Sequence, residues 1–234
     1  FATKSDTEVV LKAYIKWGRM CVNKFNGIFA FAIWCDQTQT LFFARDRIGV
    51  KPLFFSLANN GFAFASEIKA LLNMPFIKPI ADTTSICELF LIGPGRTPGK
   101  TAFCNISEIK PGHCGFFDKN GLTQFCYWTV KDKPHTDSFE QTCEKVRYLV
   151  TDSIKRQLVS DVPIGTFLSG GLDSSLISSV ASRHFKERGK KLKTFSQEFH
   201  SLRSYVSTIK RDARAKHEAP HDKGEGKSLI IYNP

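Results

Sequence analysis

Two glycines and three serines directly follow an apolar run in the second half of the 234-residue chain, where residues 167–176 read FLSGGLDSSL. Consecutive glycines let the backbone turn tightly, so that its N–H groups are aimed at one point. The first turn of a following helix adds unpaired N–H donors and the positive end of the helix dipole. Such a loop can surround a phosphate or pyrophosphate, and Ser169 and Ser174 can add hydroxyl donors.

Asp173 is the unusual residue of this loop, because a carboxylate beside a phosphate repels it unless a cation lies between them. Mg²⁺ is the natural bridge. The loop is not a Walker A motif, since no Gly-Lys-Ser/Thr follows at the required spacing. On the residues alone, an ordinary strand-to-helix turn, with Asp173 favoured by the helix dipole, explains the stretch equally well.

The elements around the loop are typical of an α/β domain. The apolar spacing predicts a helix over 138–159, a strand over 163–168, a helix over about 173–187 and a strand over 192–196. Ligands of parallel α/β domains bind at the carboxyl ends of strands, where this loop lies. We therefore interpret residues 129–135 as a linker, residues 136–222 as the first part of a parallel-sheet domain and residues 223–234 as an unassigned tail.

Residues 1–128 have a different pattern, in which strands dominate and helices are few, so we predict an α+β arrangement. Ser5-Asp-Thr-Glu8 is a capping box that predicts a helix ending at Gly18, with Ser5 and Glu8 bonded to each other's backbone N–H. Apolar alternation predicts strands at 28–34, 40–44, 53–56 and 62–65. A short helix is expected at 66–72, and a last hairpin turns at 119–121.

Composition narrows the environment and the partners. No apolar run approaches the roughly 18–20 residues that span a bilayer, so we expect a cytoplasmic protein without a membrane partner. The seven cysteines show no C-x-x-C pair and no zinc spacing, which favours small buried hydrophobic residues in a reducing compartment. The net charge is +11, but the basic residues over 183–227 are interrupted by acidic ones and lack interleaved aromatics, so we expect no nucleic-acid partner.

The run SDVPIGTFLSGGLDSS at 160–175 resembles the pyrophosphate-binding loop of the N-type ATP pyrophosphatases, and in particular that of the glutamine-hydrolysing asparagine synthetases. Four upstream segments resemble the second half of that family's class II glutamine amidotransferase domain: SDTEVVLKAYIKWG, FNGIFAFAIW, ARDRIGVKPLFF and FASEIKALL. The resemblance implies part of an αββα glutaminase sandwich of the Ntn type over 1–128. An α/β ATP pyrophosphatase domain, the asparagine synthetase domain, would begin at 136.

The resemblance also implies an activity: ATP- and glutamine-dependent amidation of aspartate to asparagine through β-aspartyl-AMP, with release of AMP, pyrophosphate and glutamate. A homodimer is expected for the full-length enzyme. Asp6 matches the family's aspartate that binds the α-amino group of glutamine, and Asp173 would hold Mg²⁺ through pyrophosphate. The ATP and pyrophosphate residues would be Leu168, Ser169, Gly170, Gly171, Asp173, Ser174 and Gln197.

No catalytic residue is assigned, because the family's nucleophilic cysteine would lie upstream of Phe1. We therefore expect an internal fragment that is inactive alone in amide transfer, with the acceptor-binding residues beyond residue 234. An amidotransferase for another carboxylate and a non-catalytic nucleotide-binding remnant stay open as alternatives. Arg45, Asp46 and Arg47 could be a catalytic cluster, but arginines flanking an aspartate more often tie down a turn.

Overall fold

A computed structural model describes residues 1–3, 5–58, 61–93 and 97–196. The chain divides into two compact units, with the break after Asp132. Residues 127–138, which surround this break, form neither helix nor strand. The proposed limits of the linker and of the domains on either side stay a prediction. No helix in the described part of the chain is long and apolar enough to cross a membrane.

The first unit contains seven strands and three α-helices within its described residues. In chain order these are α1 (Asp6–Trp17), β1 (Ala30–Cys35), β2 (Thr40–Arg45), β3 (Phe54–Ala58), β4 (Gly61–Ala65), α2 (Ile68–Leu72), α3 (Thr83–Ile92), β5 (Ser107–Glu108), β6 (His113–Asp118) and β7 (Gly121–Cys126). The strands form two antiparallel sheets, ordered β1-β2-β6-β7 and β4-β3-β5. The predicted strands and the predicted hairpin are confirmed.

Alternate residues of each strand pack on opposite faces, and this places the two sheets between helices. Phe42 of β2 packs beneath α1 with Ala13, whereas its neighbour Phe43 packs between the sheets with Phe55 of β3. On the outer face of the three-stranded sheet, Phe54 packs with Leu71 of α2. The layer order is therefore helix, sheet, sheet, helix, and the α+β prediction for this unit is confirmed.

The N-terminal cap of α1 differs in detail from the predicted capping box. Ser5 is the N-cap, but its hydroxyl accepts from the N–H of Thr7 at 3.2 Å. The carboxylate of Glu8 passes over Ser5 and accepts from the N–H groups of Ala2 and Thr3, at 2.7 and 2.6 Å. The predicted reciprocal bond from Ser5 to Glu8 was wrong, because the backbone N–H groups of Ala2 and Thr3 lie close enough to bind the Glu8 carboxylate instead.

Three elements of the first unit were not predicted from the sequence: a 3₁₀ helix at Gly18–Lys24, the helix α3 and the two-residue strand β5.

The expectation that the cysteines are buried holds for Cys21 and Cys114 only. Burial raises the pKa of each of these two thiols to about 11. The remaining five are partly or fully exposed and all seven are unpaired, so most of them are surface residues.

The second unit is smaller in its described part. It comprises α4 (Phe139–Arg156), β8 (Gly165–Phe167), α5 (Leu172–Glu187) and β9 (Lys193–Phe195). Ser138 and Gln141 form a reciprocal capping box at the start of α4. Strands β8 and β9 pair in parallel, with Phe167 opposite Phe195. The predicted strand, helix and parallel strand are thus confirmed, and with them the α/β character of this unit.

Candidate functional site

The glycine-rich loop leaves the carboxyl end of β8 and enters α5 within four residues. The N–H of Leu168 donates to the carbonyl of Phe195 at 2.8 Å, which extends the parallel pairing by one residue before the chain turns. Gly170 has a φ of +84°, in the left-handed region that side-chain-bearing residues rarely adopt. Gly171 is the N-cap of α5. The two glycines therefore make the abrupt change from strand to helix.

The hydroxyls of Ser169 and Ser174 meet inside this turn, with their oxygens 3.0 Å apart. Ser174 Oγ donates to the carbonyl of Gly171 at 3.1 Å and accepts from the N–H of Ser169 at 3.3 Å. Because the single proton of Ser174 is used on Gly171, the hydroxyl of Ser169 must donate to Ser174. The two serines that the sequence predicted to bind phosphate are thus brought together at the N-terminus of α5.

The start of α5 supplies further donors. The first helical hydrogen bond runs from the N–H of Ser175 to the carbonyl of Gly171, at 3.1 Å. The N–H groups of the three preceding residues, 172–174, therefore precede the helical ladder and have no acceptor within it. Together with the positive helix end, they form an arrangement that suits an anion.

Asp173 lies in the first turn of α5 with its side chain exposed. Mg²⁺ commonly binds one or two carboxylates together with substrate phosphates and keeps several waters. A single exposed carboxylate next to a phosphate cradle fits that requirement. No group of three or more His, Cys, Asp and Glu residues that could hold a metal by themselves occurs in the described part of the chain.

The other predicted site residues are placed as follows. Leu168 is half-buried at the end of β8, where its backbone continues the strand pairing. Gln197 lies outside the described residues. Asp6 belongs to the first unit, where it is exposed in the first turn of α1. The structure therefore brings together residues 168–174 of the predicted set.

Arg45 and Asp46 are structural, as the sequence favoured. The guanidinium of Arg45 donates to the carbonyls of Lys51, Gly49 and Ile109 at 2.6–2.9 Å. The buried carboxylate of Asp46 accepts from three backbone N–H groups of residues 48–51, at 2.9–3.2 Å. Both side chains are consumed in fixing the turn after β2, and neither is presented to a ligand.

One contact near the loop was not predicted from the sequence. Thr166 of β8 and Ser178 of α5 share a hydrogen bond, with their hydroxyl oxygens 2.9 Å apart. A usable signal existed, because Thr166 is a polar residue in a short apolar strand. Strand alternation places its side chain on the face opposite to Phe167.

These features define a mixed α/β protein, with a two-sheet unit followed by an α/β unit that carries a glycine-rich loop between a strand and a helix. The chain belongs to the glutamine amidotransferase domain family, whose sequence pattern matches residues 1–128, over half of its length. The pattern of a second family, described as asparagine synthase, matches residues 145–223. That match contains the glycine-rich loop.

Two curated relatives carry related names. The glutamine-hydrolysing asparagine synthetase 3 of Bacillus subtilis is 50% identical over 206 residues, which cover 88% of this chain and 34% of the relative. A putative glutamine-hydrolysing asparagine synthetase 2 of Methanocaldococcus jannaschii is 36% identical over 198 residues, covering 83% and 38%. The chain thus spans about a third of the length of these relatives.

Among solved structures, glutamine phosphoribosylpyrophosphate amidotransferase from B. subtilis covers 88% of this chain at 16% identity, with a TM-score of 0.36. That score is too low to support a structural inference.

Proposed function

We propose that this protein takes part in the ATP- and glutamine-dependent amidation of aspartate, forming asparagine through a β-aspartyl-AMP intermediate. The segment 168–175 supplies the pyrophosphate grip for ATP, and the first unit supplies part of the glutamine site. The observation that carries the proposal is the contact of the Ser169 and Ser174 hydroxyls in the turn that leads into α5, whose first N–H groups precede the helical hydrogen bonds. The match of the same residues to the asparagine synthase family supports it.

Amidation of a carboxylate needs such a grip, because an ionised carboxylate is a poor electrophile and its adenylate has a far better leaving group. Adenylation splits ATP between its α and β phosphates, so negative charge develops on the departing pyrophosphate. Donors aimed at that charge favour the transition state, because they are already oriented before the bond breaks. In this chain they are the N–H groups of residues 172–174 and the two serine hydroxyls.

Asp173 is the residue that would hold Mg²⁺ in this site. When bound, the cation would offset the negative charge shared by the carboxylate and the phosphates. The role of Asp173 is then to hold the cation at the exposed side of the loop. Asp6 is assigned to the α-amino group of glutamine, for which a carboxylate in an exposed first turn is chemically suited.

The proposal includes a cytoplasmic location, which the seven unpaired cysteines support because such thiols persist in a reducing compartment. Its substrates are the small molecules glutamine, aspartate and ATP, and a homodimer is the assembly that we expect.

The test has two arms. Isothermal titration of the 234-residue chain with Mg·ATP and with Mg·pyrophosphate measures the grip directly, and saturable binding of both is expected. In the protein that contains this chain, labelled pyrophosphate should exchange into ATP only when aspartate is present. Exchange that depends on a different carboxylate would replace aspartate as acceptor. If the chain binds neither Mg·ATP nor Mg·pyrophosphate, the proposed function is overturned.

A further inference from the structure

A second hydroxyl pair lies behind the loop and has no part in the function proposed above. Thr166 is the middle residue of β8, two positions before Leu168. Ser178 lies on α5, seven residues after the N-cap Gly171, which is about two helical turns. Their hydroxyl oxygens are 2.9 Å apart. The bond therefore joins the strand that enters the loop to the helix that leaves it.

This bond lies in the small buried contact of the second unit. Ser178 is 8% exposed and Ala181, one turn further along α5, is fully buried. Among the described residues from 133 to 196, no other side chain is buried. Contacts between small apolar groups tolerate sliding, whereas a hydrogen bond has a preferred distance and direction. The hydroxyl pair is thus the contact that can fix the offset between β8 and α5.

The two hydroxyl pairs are used differently when a ligand binds. The bond between Ser169 and Ser174 occupies the same hydroxyls that pyrophosphate oxygens would need, so an entering ligand replaces it. The bond between Thr166 and Ser178 uses neither of those hydroxyls, and Ser178 is buried, so a ligand that binds Ser169 and Ser174 does not need to break it. It can therefore hold the loop in shape while the first bond opens.

We propose that Thr166 and Ser178 are positioning residues for the pyrophosphate loop. Their hydrogen bond keeps residues 168–171 and the first turn of α5 at the separation at which the N–H groups converge. Without this hydrogen bond, the distance between the loop and the first turn of α5 varies, and in some conformations the N–H groups no longer point at one ligand. The apparent affinity for pyrophosphate then falls in proportion to the fraction of molecules that have the binding conformation. This inference rests on the proposed function, because it takes pyrophosphate as the ligand of the loop.

The experiment compares variants of the full 234-residue chain by titration with Mg·pyrophosphate, well below every variant's melting temperature. Thr166→Val and Ser178→Ala remove one hydroxyl each. Each single variant is expected to weaken binding by roughly 3- to 10-fold. The double variant should bind no more weakly than the single variant with the lower affinity, because the same one bond is lost in every case. Thr166→Ser, which keeps the hydroxyl, should bind within about 2-fold of the unaltered chain. Ser182→Ala, at an exposed position one turn beyond Ser178, is the matched control and should be unchanged.

Hydrogen exchange of the ligand-free chain separates failure of this inference from failure of the proposed function. Faster exchange of the amides of residues 168–175 in Thr166→Val and Ser178→Ala, with α4 unchanged, is expected. Unchanged loop exchange and unchanged affinity would overturn the positioning role while leaving the proposed function intact. If the unaltered chain binds neither pyrophosphate nor ATP but loop exchange still accelerates in the variants, the proposed function falls and the hydroxyl pair remains a positioning device for the loop. A lower melting temperature without either change would show a structural role only, and would also overturn the inference.

Discussion

Nη1 of Arg45 lies 2.8 Å from Oε1 of Glu108, and the two side chains are only 5% and 8% exposed. Arg45 ends β2 of the four-stranded sheet, whereas Glu108 ends β5 of the three-stranded sheet. The buried ion pair therefore ties the two sheets of the first unit together. The same guanidinium also donates to three backbone carbonyls, so its charge is paired and each of its three nitrogens has a hydrogen-bond acceptor.

Glu108→Ala is expected to destabilise the first unit by about 3–5 kcal/mol, because it leaves the Arg45 guanidinium buried without its counter-charge. Urea unfolding followed by intrinsic fluorescence measures the change. Glu67→Ala is the matched control: Glu67 pairs with Lys69 at 2.6 Å, but the two side chains are 61% and 80% exposed. An exposed pair contributes about 0–1 kcal/mol. Equal losses for the two variants would contradict the role given to burial.

Gly112→Ala should be more damaging than Gly121→Ala, although both glycines have a positive φ, +66° and +100°. A Cβ at Gly112 would overlap the carbonyl oxygen of Trp128, which is a backbone atom and cannot rotate away, whereas a Cβ at Gly121 meets nothing within 4 Å. Gly121→Ala is expected to cost about 1–2 kcal/mol for its conformation. Gly112→Ala should cost about 1–3 kcal/mol more. Denaturant unfolding compares them, and a Gly112→Ala chain as stable as Gly121→Ala would refute the overlap.

Glu8 should make the first unit sensitive to acid. The ammonium of Lys12, 2.6 Å away, and the N–H groups of Ala2 and Thr3 lower the pKa of the Glu8 carboxyl from 4.5 to about 2. Since the folded-state pKa lies below the unfolded one, the stabilisation is fully present above about pH 4.5 and is lost as the pH falls towards 2.

Glu8→Gln tests this dependence. The variant should melt below the unaltered chain at pH 7, and the difference in Tm should shrink between about pH 4.5 and about pH 2. Melting curves followed by circular dichroism at pH intervals measure it. A Tm difference as large at pH 2 as at pH 7 would show that the ionised carboxylate is not the source of the stabilisation.

Local signals explain which elements of the fold the sequence could predict. Apolar alternation, the Gly18 stop and the hairpin turn at Lys119-Asn-Gly121 act within a few residues, and each gave an element that the structure contains. Helix α3 carried comparable signals, because Asp82 caps it through the N–H of Ser85 and Gly93 ends it with a φ of +76°. These signals are local too, so α3 could have been predicted from the sequence. Strand β5 has two residues and exists only through pairing with β3, so nothing local could announce it.

The candidate site likewise contains local features that the sequence could predict and longer-range contacts that it could not. The SGGLDSS spacing is local, and the structure has Ser169, Gly170 and Ser174 in one turn between β8 and α5. The bond between Thr166 and Ser178 joins residues twelve apart on a strand and a helix, and their contact depends on how α5 packs on β8. The partners of Arg45 are more distant still, since Ile109 is 64 residues away. Residue types and spacing therefore indicate which groups could bind a ligand, whereas the contacts that support those groups depend on how distant elements pack.

The carboxylate of Asp173 should have opposite effects on pyrophosphate binding with and without magnesium. Without the cation, Asp173 and the pyrophosphate are like charges in one loop, so Asp173→Asn should bind pyrophosphate more tightly than the unaltered chain in EDTA. With Mg²⁺ in excess, the same variant should bind more weakly, by roughly 10-fold or more, because the carboxylate that bridges to the cation is gone.

Asp152→Asn is the matched control for this crossover. It removes one carboxylate from the same unit, on α4, where Asp152 pairs with Arg156 at 2.6 Å. Titrations of the three chains with pyrophosphate, in EDTA and in millimolar MgCl₂, decide the matter. If Asp173→Asn weakens binding equally under both conditions, the carboxylate serves the loop backbone rather than the cation. A crossover shown by Asp173→Asn and absent from Asp152→Asn would assign the cation to this one side chain, because general electrostatics would affect both variants alike.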